Sequence, residues 1–323
     1  MSSEATSAPI TKVRVGSRLE KVLESGRFAV TTEIGPPRGP DAEPVREHAR
    51  ILKPYADACN ITDNQTAVVR MSSVAAAKLL IEEGLEPIMQ MTARDRNRIA
   101  IQSDLLGAAA LGIRNCLCIS GDHQQAGGAG RLKGHPGCKN VYDLDSIQML
   151  AAMKSMRDEG LQVGGDELTE PLPMLIGAAW TPLAPPQEWR TYRLGQKIAA
   201  GADFIQTQAV YDVPAFAEAV SAARDLGMTE KTSILAGVIL PKSAGMLKYM
   251  KANVPGVEVP DDLIKRMADA EDRRAESIKV TVELIHAVRE IPGVCGVHLQ
   301  AIASEEMLPE IIEAAGITPP SDD

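Results

Sequence analysis

Short runs of β-branched and other apolar residues recur along this chain, and each is followed by a segment whose apolar residues have helical spacing. The strand-like runs are 28–33, 57–62, 87–92, 115–120, 174–179, 203–208, 233–240 and 293–300. The helical segments are 45–52, 74–82, 97–111, 145–156, 186–200, 214–226 and 260–288. Strands that alternate with helices favour a parallel sheet covered by helices, and eight such units close into a barrel. The sequence therefore predicts an α/β fold, a single (β/α)8 TIM barrel.

The spacing of these segments also predicts how the chain is organised. No linker rich in Pro, Gly or Ser divides its 323 residues, and a chain of this length buries a large core without disulfide bonds. We expect an N-terminal lead-in at 1–25, a catalytic barrel at 26–317 and a C-terminal tail at 318–323. Two segments exceed the usual loop length: the glycine-rich stretch 121–140 is typical of an active-site lid, and 260–288 predicts extra helices before the last strand.

Charge and apolar runs disfavour several classes of partner. Lys and Arg total 34 against 43 Asp and Glu, and the resulting net charge of −9 disfavours nucleic acid and anionic membranes. The longest nearly apolar run, 105–113, falls far short of the ~20 residues that span a bilayer. The N-terminus has neither the basic start nor the apolar stretch of a signal peptide. These features predict a cytoplasmic protein with no membrane span.

The cysteines fit a reducing compartment, because their number, five, is odd and most lie in strand-like runs. Cys59, Cys116, Cys118 and Cys295 are expected in the core, whereas Cys138 lies in the predicted lid and is expected to react with thiol reagents. Cys116 and Cys118, taken with the cysteine and histidines downstream, match no zinc finger or ribbon spacing. No metal site is predicted.

Polar residues gather at the carboxyl ends of the predicted strands, where a barrel places its active site. They are Glu33, Thr62, Asp63, Gln90, Thr92, Ser120, Gly121, Asp122, Trp180, Gln206, Gln208, Lys242 and Gln300. Such a pocket is neutral to acidic and rich in amides, which suits a flat heterocycle better than a phosphosugar. Each of these residues also has a structural explanation, as a turn residue or an amide that satisfies the backbone. Lys242 leaves a Schiff-base lyase open as an alternative.

Five segments, in order along the chain, carry a resemblance to a known family. They read TTEIGPP at 31–37, DACNITD at 57–63, QMT at 90–92, LLGAAALGIRNCLCISGD at 105–122 and QKIAAGADFIQTQ at 196–208. In this order, and at the first, second, third, fourth and sixth predicted strands, they resemble the methylenetetrahydrofolate reductase family over nearly the whole chain. The segment KSAGMLKYM at 242–250 is similar to the short reductases of one-carbon and acetogenic metabolism.

The resemblance implies a flavin at the strand ends and hydride transfer from NAD(P)H to 5,10-methylenetetrahydrofolate, which gives 5-methyltetrahydrofolate. Matched by motif, Glu33 would be the general acid that opens the five-membered ring at N10, because hydride can attack only the iminium cation that opening exposes. Asp122 would stabilise that cation, and Gln208 would bond the pterin or the nicotinamide amide. The residues implied around the flavin are Thr62, Gln90, Ser120, Gly121, Tyr142, Trp180 and Lys197, with Lys197 near its phosphate.

Several positions depart from the pattern of the better-known members. Gln90 stands in place of a His, Ser120 in place of an Arg and Arg190 in place of an acid. Because these changes fall around the phosphates and adenosine of the flavin, FMN is the alternative to FAD. Gly245 replaces an aromatic lid residue, and Ser304 replaces the arginine near the folate tail.

The resemblance also bears on partners and on other functions. Some short relatives are flavin-free, and some acetogenic relatives work beside a second, metal-containing subunit. A homo-oligomer or such a subunit is therefore an expected partner, beside methylenetetrahydrofolate and NAD(P)H. A non-redox subunit that binds the pterin and presents methyltetrahydrofolate to a methyl-transferring partner stays open as an alternative.

Overall fold

The fold is seen in a computed structural model that describes residues 15–124 and 134–317. The strands are β1 Ala29–Ile34, β2 Ala58–Ile61, β3 Pro87–Thr92, β4 Asn115–Ile119, β5 Leu175–Trp180, β6 Phe204–Ala209, β7 Ser233–Ile239 and β8 Val294–Gln300. The helices are α1 Arg18–Glu24, α2 Glu43–Leu52, α3 Ser73–Glu83, α4 Arg98–Ala110, α5 Ser146–Lys154, α6 Glu188–Ala199, α7 Val213–Asp225, α8 Ala244–Asn253, α9 Asp261–Asp269, α10 Arg273–Arg289 and α11 Leu308–Ala314.

All eight strands are parallel, pair in chain order and close into a barrel where β1 meets β8. The predicted (β/α)8 barrel is confirmed. The predicted strand ends differ from the observed ones by no more than one residue. The extra helices predicted before the last strand are α9 and α10, and α8 precedes them in the same connection. No helix in the described ranges is long and apolar enough to cross a membrane.

An apolar layer fills the barrel at the N-terminal ends of its strands. Its inward-facing members are Ala29, Ala58, Ile88, Leu117, Leu175, Phe204 and Leu235. Phe204 occupies the space beside Gly177, where an added Cβ would lie 2.2 Å from the ring. A side chain at position 177 would therefore displace the largest member of this layer.

Helix α1 covers this end of the barrel. Ser17 caps the helix by accepting a hydrogen bond from the Glu20 backbone N–H at 3.0 Å. The carboxylate of Glu86 accepts from the backbone N–H groups of Arg18 at 2.6 Å and Leu19 at 2.9 Å. Leu19 is fully buried against the apolar layer. Helix α1 lies inside the segment predicted as a lead-in, and its burial makes it part of the barrel.

Candidate active site

Glu33 lies near the C-terminal end of β1, half-buried, with both carboxylate oxygens bonded to side-chain amides. Gln90 of β3 donates from Nε2 to Oε2 at 2.8 Å, and Gln300 of β8 donates from Nε2 to Oε1 at 3.0 Å. Two neutral donors on different strands fix the direction of the carboxyl group without adding a cation.

A cavity of about 250 Å³ opens beside Glu33. Its lining comes from the loops after β1 and β2, from α2 and from the chain after β8: Glu33, Gly35, His48, Gln65, Arg70, Gln300, Ala301, Ile302, Ala303 and Glu305. This volume lies just below the ~300 Å³ at which small-molecule pockets begin. The cavity therefore suits part of a ligand whose reacting end reaches Glu33.

The loop after β2 is held in an uncommon backbone conformation beside this cavity. Asn64, Thr66 and Ala67 have positive φ angles of 45°, 56° and 56°, a region that non-glycine residues enter at a cost. The Asp122 carboxylate accepts from the Thr66 backbone N–H at 2.9 Å. Asp122, a predicted catalytic residue, thus contacts a strained loop at the cavity. The Thr62 hydroxyl donates to the Gln65 side-chain oxygen within the same loop.

Arg94 clamps the loops after β2 and β4 together, a role that the sequence analysis did not identify. Its side chain is only 2% exposed and is paired with Asp95 at 2.7 Å. Its guanidinium donates to the backbone carbonyls of Asp122 at 2.9 Å and Asn64 at 3.1 Å. The position of Asp122 therefore depends on a buried cation from the neighbouring strand end.

Asp63 and Thr92, both among the polar strand ends, have a structural explanation. The Asp63 carboxylate accepts from the Thr92 backbone N–H at 2.9 Å and hydroxyl at 3.0 Å. Arg96 completes the group, with Nη1 at 2.6 Å from Asp63. Asp63 is fully paired by these contacts and ties β2 to β3.

Three of the predicted cofactor residues lie after β4. The Tyr142 hydroxyl donates to the Gly121 carbonyl at 3.3 Å, and burial raises the pKa of Tyr142. Gly121 has a φ of +82°, and an added Cβ would lie 3.0 Å from Cβ of Thr92, so a glycine is required there. Ser120 has an exposed side chain, and its carbonyl accepts from the Arg94 backbone N–H at 3.1 Å. Part of the predicted lid, 125–133, lies outside the described residues.

The two glutamines of β6 have different surroundings. Gln206 is buried inside the barrel, where it bonds the amide of Asn60. Gln208 is half-buried at the strand end, and its side-chain oxygen accepts from the Ala209 backbone N–H at 3.0 Å. The β6 register shifts between Gln206 and Ala209, at the point where Gln208 reaches the mouth of the barrel.

Lys197 and Trp180 lie together where β5 meets α6. The Lys197 amine donates to the Ala179 carbonyl. The pKa of Lys197 is lowered to about 8, first by burial and then by the positive charges of Arg193 and Arg190. The Trp180 indole N–H donates to the Arg190 carbonyl at 3.1 Å, and Trp180 is only 2% exposed. The corner is a cluster of cations with a desolvated amine at its centre.

The structure thus brings the predicted residues together in groups. Glu33 contacts Gln90, Asp122 contacts the loop that begins at Thr62, and Gly121 contacts Tyr142. Lys197 bonds the carbonyl of Ala179, the residue before Trp180 in β5. Sequence reasoning noted Gln300 as a polar strand end but gave it no role. It missed Arg94 and Gln65, which lie in loops and carry no strand-end signal.

Comparisons with known proteins agree with this architecture. A family profile described as methylenetetrahydrofolate reductase matches residues 18–316. A probable methylenetetrahydrofolate reductase (NADPH) of Caenorhabditis elegans is 24% identical over 258 residues, which are 77% of this chain and 35% of that protein. The chain therefore spans about a third of the length of that curated relative.

Solved structures show the same fold. An uncharacterized protein from Clostridium thermocellum, described as binding two copies of 5-methyl-5,6,7,8-tetrahydrofolic acid, has a TM-score of 0.59 and 17% identity over 93% of this chain and 98% of its own. A 2,3-dimethylmalate lyase has a TM-score of 0.50 and 11% identity over 97% of this chain and 92% of its own. These two likenesses concern the barrel alone. Because the family profile spans nearly all of the described residues, the chain belongs to the methylenetetrahydrofolate reductase family.

Proposed function

We propose that this protein is a flavin-dependent methylenetetrahydrofolate reductase that passes hydride from NAD(P)H to 5,10-methylenetetrahydrofolate. The observation that carries the proposal is the carboxylate of Glu33, oriented by Gln90 and Gln300 at a cavity, in a chain of this family. The folate described for the Clostridium thermocellum protein supports the class of substrate.

Glu33 is the group that this chain offers as general acid. As the C–N bond at N10 breaks, the electron pair of that bond stays on N10, and the proton of Glu33 goes to the same nitrogen. The iminium cation left on the methylene carbon and N5 then accepts hydride at carbon, which gives the methyl group. Asp122 supplies a negative charge near that cation, and Gln208 offers an amide to the pterin or the nicotinamide.

The residues present fit a flavin. The cations around Lys197 have no carboxylate within hydrogen-bond distance among the described residues. A phosphate beside them would favour the charged form of Lys197, and this supports the proposal of a flavin phosphate at that corner. Lys197 would hold the phosphate, and Thr62, Gln90, Ser120, Gly121, Tyr142 and Trp180 would surround the rest. When bound, FAD, or FMN as the alternative, supplies a carrier that takes hydride from NAD(P)H and gives it to the folate.

The two other functions left open by the sequence have less support. The Lys242 amine donates to the carbonyls of Ile302 and Ala303, the latter at 3.2 Å, and Lys242 is not among the described residues that line the cavity. In this arrangement the Lys242 amine is bonded to backbone carbonyls and does not line the cavity, where a substrate carbonyl would have to meet it to form a Schiff base. The non-redox pterin-binding function shares the folate site. Tight folate binding by a colourless protein that does not oxidise NAD(P)H would favour it.

The test separates the two halves of the reaction in Glu33→Gln. Reduction of the flavin by NAD(P)H needs no acid for ring opening, so its rate should stay near that of the wild type. Reoxidation by methylenetetrahydrofolate should fall by at least ~10²-fold, because glutamine keeps the shape but cannot donate the proton. Stopped-flow absorbance of each half-reaction measures both rates.

Glu310→Gln is the matched control, since Glu310 is an exposed carboxylate paired with Arg274 on the outer surface. Both half-reactions should proceed at wild-type rates in this variant. Equal losses in both half-reactions of Glu33→Gln, or no loss in either, would remove Glu33 from the acid role.

A further inference from the structure

Four polar side chains lie inside the barrel between the apolar layer and Glu33. We call Thr31, Asn60, Gln206 and His298 the polar floor. All four are at most 3% exposed. Thr31 precedes Glu33 by two residues in β1, and His298 precedes Gln300 by two residues in β8. Because alternate residues of a strand share a face, the polar floor lies one layer beneath the acid.

The polar floor is bonded to itself across the barrel. Asn60 donates from Nδ2 to the Gln206 oxygen at 2.7 Å, and Gln206 donates from Nε2 to the Asn60 oxygen at 3.0 Å. Gln206 Nε2 also lies 3.3 Å from the Thr31 hydroxyl, and that hydroxyl lies 3.0 Å from Nδ1 of His298. These contacts join four strands and hold the imidazole from one side.

The other side of the imidazole faces the acid. Nε2 of His298 lies 3.6 Å from Oε2 of Glu33, just beyond hydrogen-bond length. The layer beneath the polar floor is apolar.

The neighbours of the ring favour one tautomer. The Gln206 amide nitrogen, 3.4 Å from Nδ1, can only donate. The Thr31 hydroxyl lies 3.0 Å from Nδ1 and 3.3 Å from the Val297 carbonyl, and its one proton can go to either. In its ionised form the Glu33 carboxylate can only accept, and its Oε2 faces Nε2 of the ring. A neutral imidazole with its proton on Nε2 satisfies both sides, whereas a proton on Nδ1 would face the amide N–H and turn a lone pair toward the carboxylate.

We propose that His298 is a positioning residue for Glu33: a neutral imidazole, held by the polar floor with its proton on Nε2, that restrains the carboxylate from beneath. Gln90 and Gln300 hold the oxygens at the mouth of the barrel, and His298 completes the set from the interior. This inference rests on the acid role proposed for Glu33. The tautomer itself can be tested without substrate.

The first experiment is ¹⁵N NMR of the full-length protein labelled at histidine, at pH 7.5. The chain has five histidines, and the signals missing from His298→Gln assign the ring. We expect the neutral tautomer with the proton on Nε2. A cationic ring, or a proton on Nδ1, would overturn the proposal.

The second experiment measures the folate half-reaction. A carboxyl group that is no longer restrained loses its alignment, so the limiting rate in His298→Gln should fall by about 10- to 100-fold. KM for methylenetetrahydrofolate and the rate of flavin reduction by NAD(P)H should change less than about threefold, since His298 is buried beneath Glu33 and is not among the described residues that line the cavity. Equal losses in both half-reactions would show a merely structural role and overturn the proposal.

A second pair of variants guards against misfolding of His298→Gln. Thr31→Val removes the hydroxyl beside Nδ1 but keeps the shape of the side chain, and should slow the folate half-reaction in the same selective way. Thr32→Val is the control, because Thr32 lies on the outer face of the same strand. A Thr31→Val enzyme as fast as Thr32→Val would contradict the proposal. If the wild type catalyses neither half-reaction, the proposed function fails, and the NMR result alone decides the state of His298.

Discussion

The charge on Lys197 depends on what lies beside it. Burial and the positive charges of Arg193 and Arg190 lower its pKa to about 8, from an ordinary value of 10.5. The amine is therefore mostly charged below pH 7 and mostly neutral near pH 9. A bound phosphate would favour the ammonium form and raise this pKa again. Binding of a flavin should then be linked to protonation of one side chain.

The first prediction is proton uptake on cofactor binding. Between the pKa of about 8 and a restored value near 10.5, Lys197 is neutral in the free protein and charged in the complex. Titration of the apoprotein with FAD at pH 9 should take up close to one proton, and titration at pH 6.5 should take up almost none. Calorimetry in buffers of different ionisation enthalpy measures this number.

The control is Lys197→Gln, which should remove the uptake at pH 9 and weaken binding by ~1.5–3 kcal/mol, the usual worth of a hydrogen bond to a charged group. Arg193→Gln should weaken binding less and keep only part of the uptake at pH 9, because burial still lowers the pKa of Lys197 but the charge of Arg193 no longer does. Uptake that persists without Lys197 would show that another group titrates.

Among the structural elements, the loops after β2 and β4 depend on one buried side chain. Arg94 bonds a carbonyl in each loop, and Asp122 bonds the Thr66 backbone N–H between them. The loop after β2 contains three non-glycine residues with positive φ, a backbone conformation that such residues disfavour. These hydrogen bonds therefore maintain the conformation of the loop. The position of the Asp122 carboxylate therefore depends on the conformation of both loops.

The second prediction concerns Arg94→Gln. The substitution removes charge-assisted hydrogen bonds, including the ion pair with Asp95, so the free energy of unfolding should fall by ~1.5–3 kcal/mol. Backbone amides in 62–67 and 120–124 should exchange with solvent faster than in the wild type, while those of β6 and β7 keep their protection. Urea unfolding and hydrogen exchange measure the two effects.

Arg98→Gln is the matched control, because Arg98 makes an exposed ion pair with Asp143 at 2.8 Å. Loss of an exposed pair costs at most ~1 kcal/mol and should not change exchange in either loop. If the backbone amides of the two loops exchange at equal rates in Arg94→Gln and Arg98→Gln, Arg94 does not hold the loops together.

The sequence predicted what depends on local pattern and missed what depends on distant contacts. Strand periodicity located β1, β3 and β8. The expectation that a barrel places its active site at the carboxyl ends of its strands then singled out Glu33, Gln90 and Gln300. Helix α1 was missed because it has only 7 residues, and Glu86, far along the chain, bonds its first turn. Of the polar floor, the sequence singled out only Gln206. The hydrogen-bonded network was missed because its contacts join residues 146 and 267 positions apart, such as Asn60 to Gln206.

At the scale of the whole molecule, the reactivity of the buried cysteines measures how often the helices separate from the barrel sheet. Cys59, Cys116 and Cys118 are fully buried between the sheet and the helices, and Sγ of Cys118 lies 3.2 Å from Sδ of Met153 in α5. Cys295, expected in the core, is only half-buried, and Cys138 is half-buried as well. The core prediction thus holds for three of the four cysteines.

The third prediction is an ordered reaction with a thiol reagent. Only the thiolate reacts, and burial raises the pKa of Cys59 to about 12 and also raises the pKa of Cys295. The side-chain hydrogen bond with Cys118, together with burial, raises the pKa of Cys116. At pH 8 the reagent should therefore modify Cys138 of the native protein first and Cys295 more slowly. Cys59, Cys116 and Cys118 should react only as fast as the barrel opens. Absorbance of the released reagent gives the rates, peptide mass spectrometry assigns them, and unfolding in guanidinium should release all five thiols. Rapid loss of the three buried thiols from native protein would mean that the helices separate from the sheet far more often than a packed barrel allows.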